Sequence, residues 1–163
     1  MKKLIVISDS HINTEAMPVI LKQEADYHIH CGDHMMEPED MKGWTAVAGN
    51  WDDPQKFPLQ IILEAEGHRI LILHGHTLFP SYRVDYQALV NAAKKNDCDT
   101  VLFGHSHEFC NWRIAGIRLI NPGSVWLNAD GSPGCYAEIT IDRRKMTAER
   151  RNYADLLYPA DNG

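Results

Sequence analysis

Apolar positions along the chain fall into short, nearly continuous runs rich in β-branched residues, the pattern of strands buried on both faces. Lys3-Leu4-Ile5-Val6-Ile7-Ser8 is the first, and Tyr27-His28-Ile29-His30, Thr45-Ala46-Val47-Ala48, Arg69 to Leu73 and Asp99 to Phe103 follow. Between the first two, Met17, Ile20 and Leu21 recur at helical spacing from Thr14, with Asn13 or Thr14 as cap and Pro18 tolerable in the first turn. The start is therefore β-α-β, which right-handed crossovers arrange as neighbouring parallel strands. Leu59 to Leu63 and Arg69 to Leu73 flank Glu66-Gly67, a hairpin signature that leaves His68 at the turn, where a polar side chain is expected to face solvent. Val84, Leu89, Val90 and Ala93 predict an amphipathic helix over Tyr82 to Lys95. Beyond it, Phe109 to Ile114, Ile117 to Ile120, Gly134 to Ile141 and Met146 to Asn152 are separated by turn residues and predict antiparallel strands. Tyr153 to Gly163, with Pro159, Asp161 and Gly163 after Leu156-Leu157, is expected to fray.

Five of the runs stop on a short cluster of His, Asp or Asn, usually beside a glycine. Together the stops gather Asp9, His11, Asp33, Asn50, His74, His105 and His107. In Asp9-Ser10-His11 and His105-Ser106-His107 the two-residue period of extended backbone aims both outer side chains the same way. Ligands of open α/β sheets bind beyond the carboxyl ends of the strands, where all these clusters lie. Mixed carboxylate, imidazole and amide donors suit Mn²⁺, Ni²⁺, Fe²⁺ or Zn²⁺, and four imidazoles are too many for Mg²⁺ or Ca²⁺. Seven donors exceed one ion, so two divalent ions per chain are expected, in the arrangement that clamps a phosphoryl group for in-line attack by a bridging hydroxide.

Length and charge narrow the partners. At 163 residues with 44% hydrophobic content, one domain over residues 1–163 can bury its own core. The net charge of −6 argues against extended nucleic acid as a partner, and Arg143, Arg144, Lys145, Arg150 and Arg151 read as a solvated hairpin edge. Cys31, Cys98, Cys110 and Cys135 are scattered without a C-x-x-C pair, and no apolar run is long enough for a membrane span. A cytoplasmic protein is expected, with a small phosphoester as partner and a homo-oligomer left open.

The ordered series Asp9-Ser10-His11, Gly32-Asp33, Gly49-Asn50, His74-Gly75 and Gly104-His105-Ser106-His107 resembles the calcineurin-like metallophosphoesterase superfamily. Asn121-Pro122-Gly123-Ser124 resembles its small bacterial and archaeal phosphodiesterase branch. The resemblance covers residues 3 to about 141 and implies an α/β fold, a four-layer α/β/β/α sandwich of two mixed sheets flanked by helices. It implies that Asp9, His11 and His107 hold one metal, that Asn50, His74 and His105 hold the other, and that Asp33 bridges them. Many members carry His after the Gly-Asn, as a proton donor to the leaving group or a phosphate contact; here Trp51 stands in that place. Indole is no general acid, so phosphodiesters or esters with stabilised leaving groups are the expected substrates. The superfamily also contains members that lost catalysis and act as interaction scaffolds, and a nuclease is a further alternative.

Other polar residues admit plainer readings. His76 is a candidate phosphate contact or a hydrogen-bonded loop residue, and Asp52 either orients a metal ligand or caps the loop before Pro54. His28 and His30 are read as structural or as supports of the ligands, and His34 is undecided. Cys31 is expected to be a small buried residue rather than a nucleophile. Trp44, Trp112 and Trp126 are expected to be core or interface aromatics.

Overall fold

Strand β1 (Lys2–Ile7) shares its side chains between two faces: Leu4 and Val6 enter one buried cluster, Ile5 and Ile7 another, and none exceeds 1% exposure. The computed structural model that places them describes residues 1–159. Four further strands complete the sheet of β1: β2 (Tyr27–His30), which pairs with β1, β3 (Thr45–Ala46) beyond β2, and, from the far end of the chain, β9 (Cys135–Asp142) on the other side of β1, itself paired with β10 (Lys145–Asn152). The resulting sheet has the order β10-β9-β1-β2-β3, with β1, β2 and β3 parallel and β9 antiparallel to β1. A second sheet is built from β4 (Gln60–Ala65), β5 (His68–Leu73), β6 (Thr100–Leu102), β7 (Cys110–Ile114) and β8 (Ile117–Asn121), in the order β4-β5-β6-β8-β7. Here β5, β6 and β8 run parallel, and β4 and β7 are antiparallel edges.

Three apolar clusters turn two sheets into four layers. Leu4, Val6 and Ile29 of the first sheet pack with Ile70, Ile72, Leu102 and Ile120 of the second, all fully buried. Outside the first sheet, Ile5 and Ile7 meet Ala16, Met17 and Ile20 of helix α1 (Ala16–Leu21). Outside the second, Leu71, Val101 and Phe103 lie under Leu89, Val90 and Ala93 of helix α2 (Tyr86–Lys95). Each strand that contributes to both a middle and an outer cluster must be apolar at successive positions, which is why the runs are continuous. The α/β/β/α sandwich of two mixed sheets expected from the sequence is the observed fold.

Several local expectations are corrected. Helix α2 starts at Tyr86 because the Asp85 carboxylate accepts the Ala88 N–H at 3.0 Å, which leaves Tyr82 to Val84 in the preceding loop. Helix α1 starts at Ala16, and the Asn13 amide donates to the Val125 carbonyl instead of capping. The late strands are not one antiparallel series: β8 pairs in parallel with β6, and β9 and β10 return to the first sheet. His68 does not face solvent, since its Nδ1 lies 3.1 Å from both Asp99 carboxylate oxygens and its Nε2 is 2.6 Å from the Arg144 carbonyl. It ties the β4–β5 turn to the start of β6 and to the β9–β10 turn. The stretch expected to fray holds one helical turn, α3 (Ala154–Leu157), with Tyr153 and Leu156 packed on the outer face of the first sheet. The last of that stretch, residues 160–163, lies outside the described residues. Among the described residues no helix is long and apolar enough to cross a membrane.

Candidate metal centre

Parallel strands of both sheets end side by side, and the chain turns away from each end on a polar cluster. β1 leads to Asp9 and His11, β2 to Asp33, β3 to Asn50, β5 to His74, and β6 to His105 and His107. Ligand atoms of Asp9, His11 and His107 lie within 4.8 Å of one another, as do those of Asp33, His74 and His105. The Asn50 amide oxygen is 3.1 Å from His74 Nε2, so all seven side chains singled out in the sequence meet in one place. Gly104-His105-Ser106-His107 is divided between the two groups.

The backbone is strained where it delivers these side chains. Asp9, His11, Asp33, His105 and His107 all adopt left-handed conformations, with φ of 52°, 44°, 60°, 71° and 55°. Each costs a residue with a Cβ on the order of 1 kcal/mol, so the turns are held by their surroundings rather than by local preference. Glycine is required at two neighbours for a different reason. A Cβ on Gly104 would collide with the Ser8 hydroxyl and with Asp9 Oδ2, and one on Gly49 would collide with the Asp33 carboxylate.

Each buried carboxylate has one oxygen anchored and one aimed inward. Asp9 Oδ2 accepts from Ser8 Oγ at 2.7 Å and from the His105 N–H at 3.0 Å. Asp9 Oδ1 has no hydrogen-bond partner, and faces the Nε2 atoms of His107, His11 and His74 at 3.3, 3.7 and 3.7 Å. Asp33 Oδ1 accepts from the Trp51 N–H at 2.9 Å, while Oδ2 lies 3.2 Å from His74 Nε2. Three imidazoles are oriented by carbonyls, which can only accept. His74 Nδ1 donates to Cys31 O at 2.9 Å and His107 Nδ1 to Leu127 O at 2.8 Å, which turns Nε2 inward. His105 uses Nε2 on Pro80 O at 3.2 Å, which leaves Nδ1 for the centre.

Charge balance in this pocket calls for a cation. Burial works to raise the Asp9 carboxyl, but His74, His107 and His11 hold it far below the usual carboxylate range. Burial works to lower His74, and Asp9 and Asp33 overcome it and raise the imidazole to about 9. His107 is likewise raised against its burial by Asp9, whereas burial and the His74 charge lower His105. A proton on His74, with His107 raised in the same direction, therefore offsets the buried carboxylates. A divalent ion meets the same need with better geometry, because His11 and His107 already face each other Nε2 to Nε2 at 3.3 Å. Asn50 points the same way. With His74 neutral, the inward oxygen meets only acceptors, which suits a cation; turned over, the nitrogen would donate to His74 Nε2 and Asp33 Oδ2 at 3.1 Å. The donor set thus fits divalent metal, and the two groups are candidate sites for it.

The other candidates divide cleanly. The Asp52 carboxylate accepts the N–H groups of Asp33, Met35 and Gly49 at 2.7, 2.8 and 2.8 Å, and His34 N–H at 3.4 Å, so it clasps the turns after β2 and β3. His34 is buried behind that clasp, with Nε2 3.4 Å from Asp52 Oδ2. His76 is half-buried beside His74, its ring centroid 5.4 Å away, with Nδ1 unpartnered. His30 is a buried support: Nδ1 accepts the Gly32 N–H and Nε2 lies 2.9 Å from Ser10 Oγ. His28 bonds the Gln23 carbonyl away from the centre. Cys31 is buried, and burial together with Asp9 pushes its thiol well up, so it is no nucleophile. Trp126 is not a core residue; its ring lies 5.0 Å from that of His11. Sequence reasoning assigned no role to Ser8, Asn121, Ser124 and Asn128. Ser124 Oγ donates to the Asp9 carbonyl at 2.8 Å, Asn121 Nδ2 to Gly104 O and Ser106 Oγ, and Asn128 fixes Ser124 from both sides. The Asn121-Pro122-Gly123-Ser124 motif was the available signal.

Two stacked mixed sheets with paired carboxylate–imidazole groups across their strand ends define the class, that of metal-dependent phosphoesterases. The chain belongs to the calcineurin-like phosphoesterase superfamily, whose domain model matches residues 1–144. The probable metallophosphoesterase YsnB of Bacillus subtilis (strain 168) is 32% identical over 152 residues, covering 88% of this chain and 87% of that protein. A probable metallophosphoesterase of Mycoplasma pneumoniae is 36% identical over 130 residues, covering 77% of this chain and 80% of its own length. Among solved structures, a conserved protein of Streptococcus pneumoniae TIGR4 described as a predicted phosphoesterase has a TM-score of 0.85 over 94% of this chain and 90% of that one; at 24% identity the likeness is one of fold.

Proposed function

We propose that this metallophosphoesterase is a phosphodiesterase that hydrolyses small diesters at a centre of two divalent ions, Mn²⁺ being the first to test. Asp9, His11 and His107 would hold one ion and Asn50, His74 and His105 the other, with Asp33 shared. Ions bound there supply positive charge against the phosphoryl oxygens and lower the pKa of water at neutral pH. The chain's own residues fix the geometry: the Ser8 hydroxyl and Trp51 N–H anchor one oxygen of Asp9 and of Asp33, and carbonyls orient the imidazoles. Asp52 positions Asp33 through its N–H. Burial and His74 lower His76, which favours a neutral imidazole N–H there as a contact for the phosphate.

The observation that carries the diester reading is Trp51. Its N–H serves Asp33, but its side chain is 65% exposed at the rim and cannot protonate an alkoxide. A monoester with a poor leaving group is then disfavoured. Steady-state rates of the Mn²⁺ form on matched aryl mono- and diesters test this, with the diester expected to be faster; a large preference for the monoester overturns it. A catalytically silent scaffold would bind less than one ion per chain after Mn²⁺ addition and be indifferent to Asp33→Ala. Four buried free thiols suit a reducing compartment such as the cytoplasm.

A further inference from the structure

The exposed large apolar side chains include three beside the metal centre that serve neither core nor ligand: Tyr82 is 71% exposed, Leu127 56% and Trp126 39%. Together with His107 and Ala129 they line an open groove of about 420 Å³ whose wall, among the described residues, carries no carboxylate, Lys or Arg. Tyr82 stacks on the His105 ring, 5.5 Å between centroids at 25°, and lies edge-on to His107 at 6.0 Å. Trp126 is 5.0 Å from His11 and 6.4 Å from His107. The groove therefore opens off the candidate centre through a shared residue, His107, and its rings are tied to candidate ligands of both groups.

Local structure holds the rings in these places. Asp85 caps α2 and stops it short of Tyr82, which frees that loop to reach over His105. Ser124 Oγ accepts the Trp126 and Leu127 N–H groups at 3.0 and 2.9 Å, and the Leu127 carbonyl accepts from His107 Nδ1. The same turn thus orients a candidate ligand and presents the apolar wall. A phosphorus atom held at the centre would place one of its ester substituents in the groove. A substituent that profits there is planar and apolar, because aromatic faces reward stacking and no Lys, Arg or carboxylate among the described lining residues is there to pair with a charged arm.

We infer that the Tyr82–Trp126 groove is a specificity subsite that takes a planar aromatic substituent of the phosphoester, of the aryl or nucleobase kind. The inference rests on the metal-centre reading above, and binding rather than turnover separates the two. Calorimetric titration of the Mn²⁺-loaded protein with phenylphosphonate and methylphosphonate, neither of which it can hydrolyse as an ester, gives the direct comparison. Phenylphosphonate is expected to bind about tenfold more tightly, the scale of one good aromatic contact. Tyr82→Ala and Trp126→Ala are expected to remove most of that advantage while methylphosphonate affinity and Mn²⁺ content stay as in the parent. Tyr82→Phe and Trp126→Phe, which keep a ring, are expected to restore it and guard against a folding artefact. Equal affinity of the parent for both phosphonates, or an advantage that survives both alanine variants, overturns the subsite alone. Binding of neither phosphonate overturns the subsite and the metal-centre reading together.

Discussion

At the scale of single residues, the centre combines left-handed turns with atoms packed too closely for substitution. Gly104→Ala puts a methyl group against Ser8 Oγ and Asp9 Oδ2, neither of which has room to retreat, since both are buried and bonded to each other. A loss of about 1–3 kcal/mol in unfolding free energy is expected, with a fall in bound Mn²⁺, read by denaturant titration and elemental analysis. Unchanged metal content would mean that the β1 turn yields without moving Asp9. The two histidines beyond Gly104 should behave differently from each other. His107 stands with Asp9 and His11, and His105 with Asp33 and His74, so each alanine variant is expected to lose a different ion and keep the other. Elemental analysis showing both ions lost from both variants would remove the division of the turn between two sites.

At the scale of elements, what matters is how separate turns are tied together. The clearest tie is Asp52, whose carboxylate accepts N–H groups from the turn after β2 and the turn after β3. Asp52→Ala leaves those donors without their acceptor, and a roughly 10- to 100-fold weaker Mn²⁺ affinity is expected by calorimetry, with a lower melting temperature. Element identity was legible in the sequence because strands buried on both faces leave long apolar runs, and the cluster of candidate ligands was legible because each run ends in polar residues that packing does not need. Pairing was not legible. That β9 returns to β1, or that β8 lies parallel to β6, depends on contacts between segments far apart in the chain, on which a local pattern is silent. His68 was misread for the same reason, since its partners Asp99 and Arg144 come from remote segments. Tyr82 was assigned to a helix because its spacing fits one, and only the competing Asp85 cap excludes it.

At the scale of the whole molecule, a chain of net charge −6 concentrates two fully or nearly buried carboxylates where four imidazoles converge. The charge state of that assembly sets how strongly the protein takes up metal. His74 titrates at about 9, so at neutral pH it carries a proton that a divalent ion must displace, and Asp9 shifts His107 upward in the same direction. Binding then releases protons, and apparent Mn²⁺ affinity rises with pH until His74 has lost its proton near pH 9, beyond which it levels. The sign follows from the raised values: below them the protonated, metal-free form is favoured, and each unit of acidification costs up to about tenfold in affinity per proton displaced. Because metal binds the folded chain, the melting temperature gained on adding Mn²⁺ should grow over the same range. Calorimetry in two buffers of different ionisation enthalpy counts the released protons directly. A count near zero at pH 7, with affinity flat from about pH 6 to 9, would mean that the imidazoles are already neutral and that the buried carboxylates are balanced in some other way.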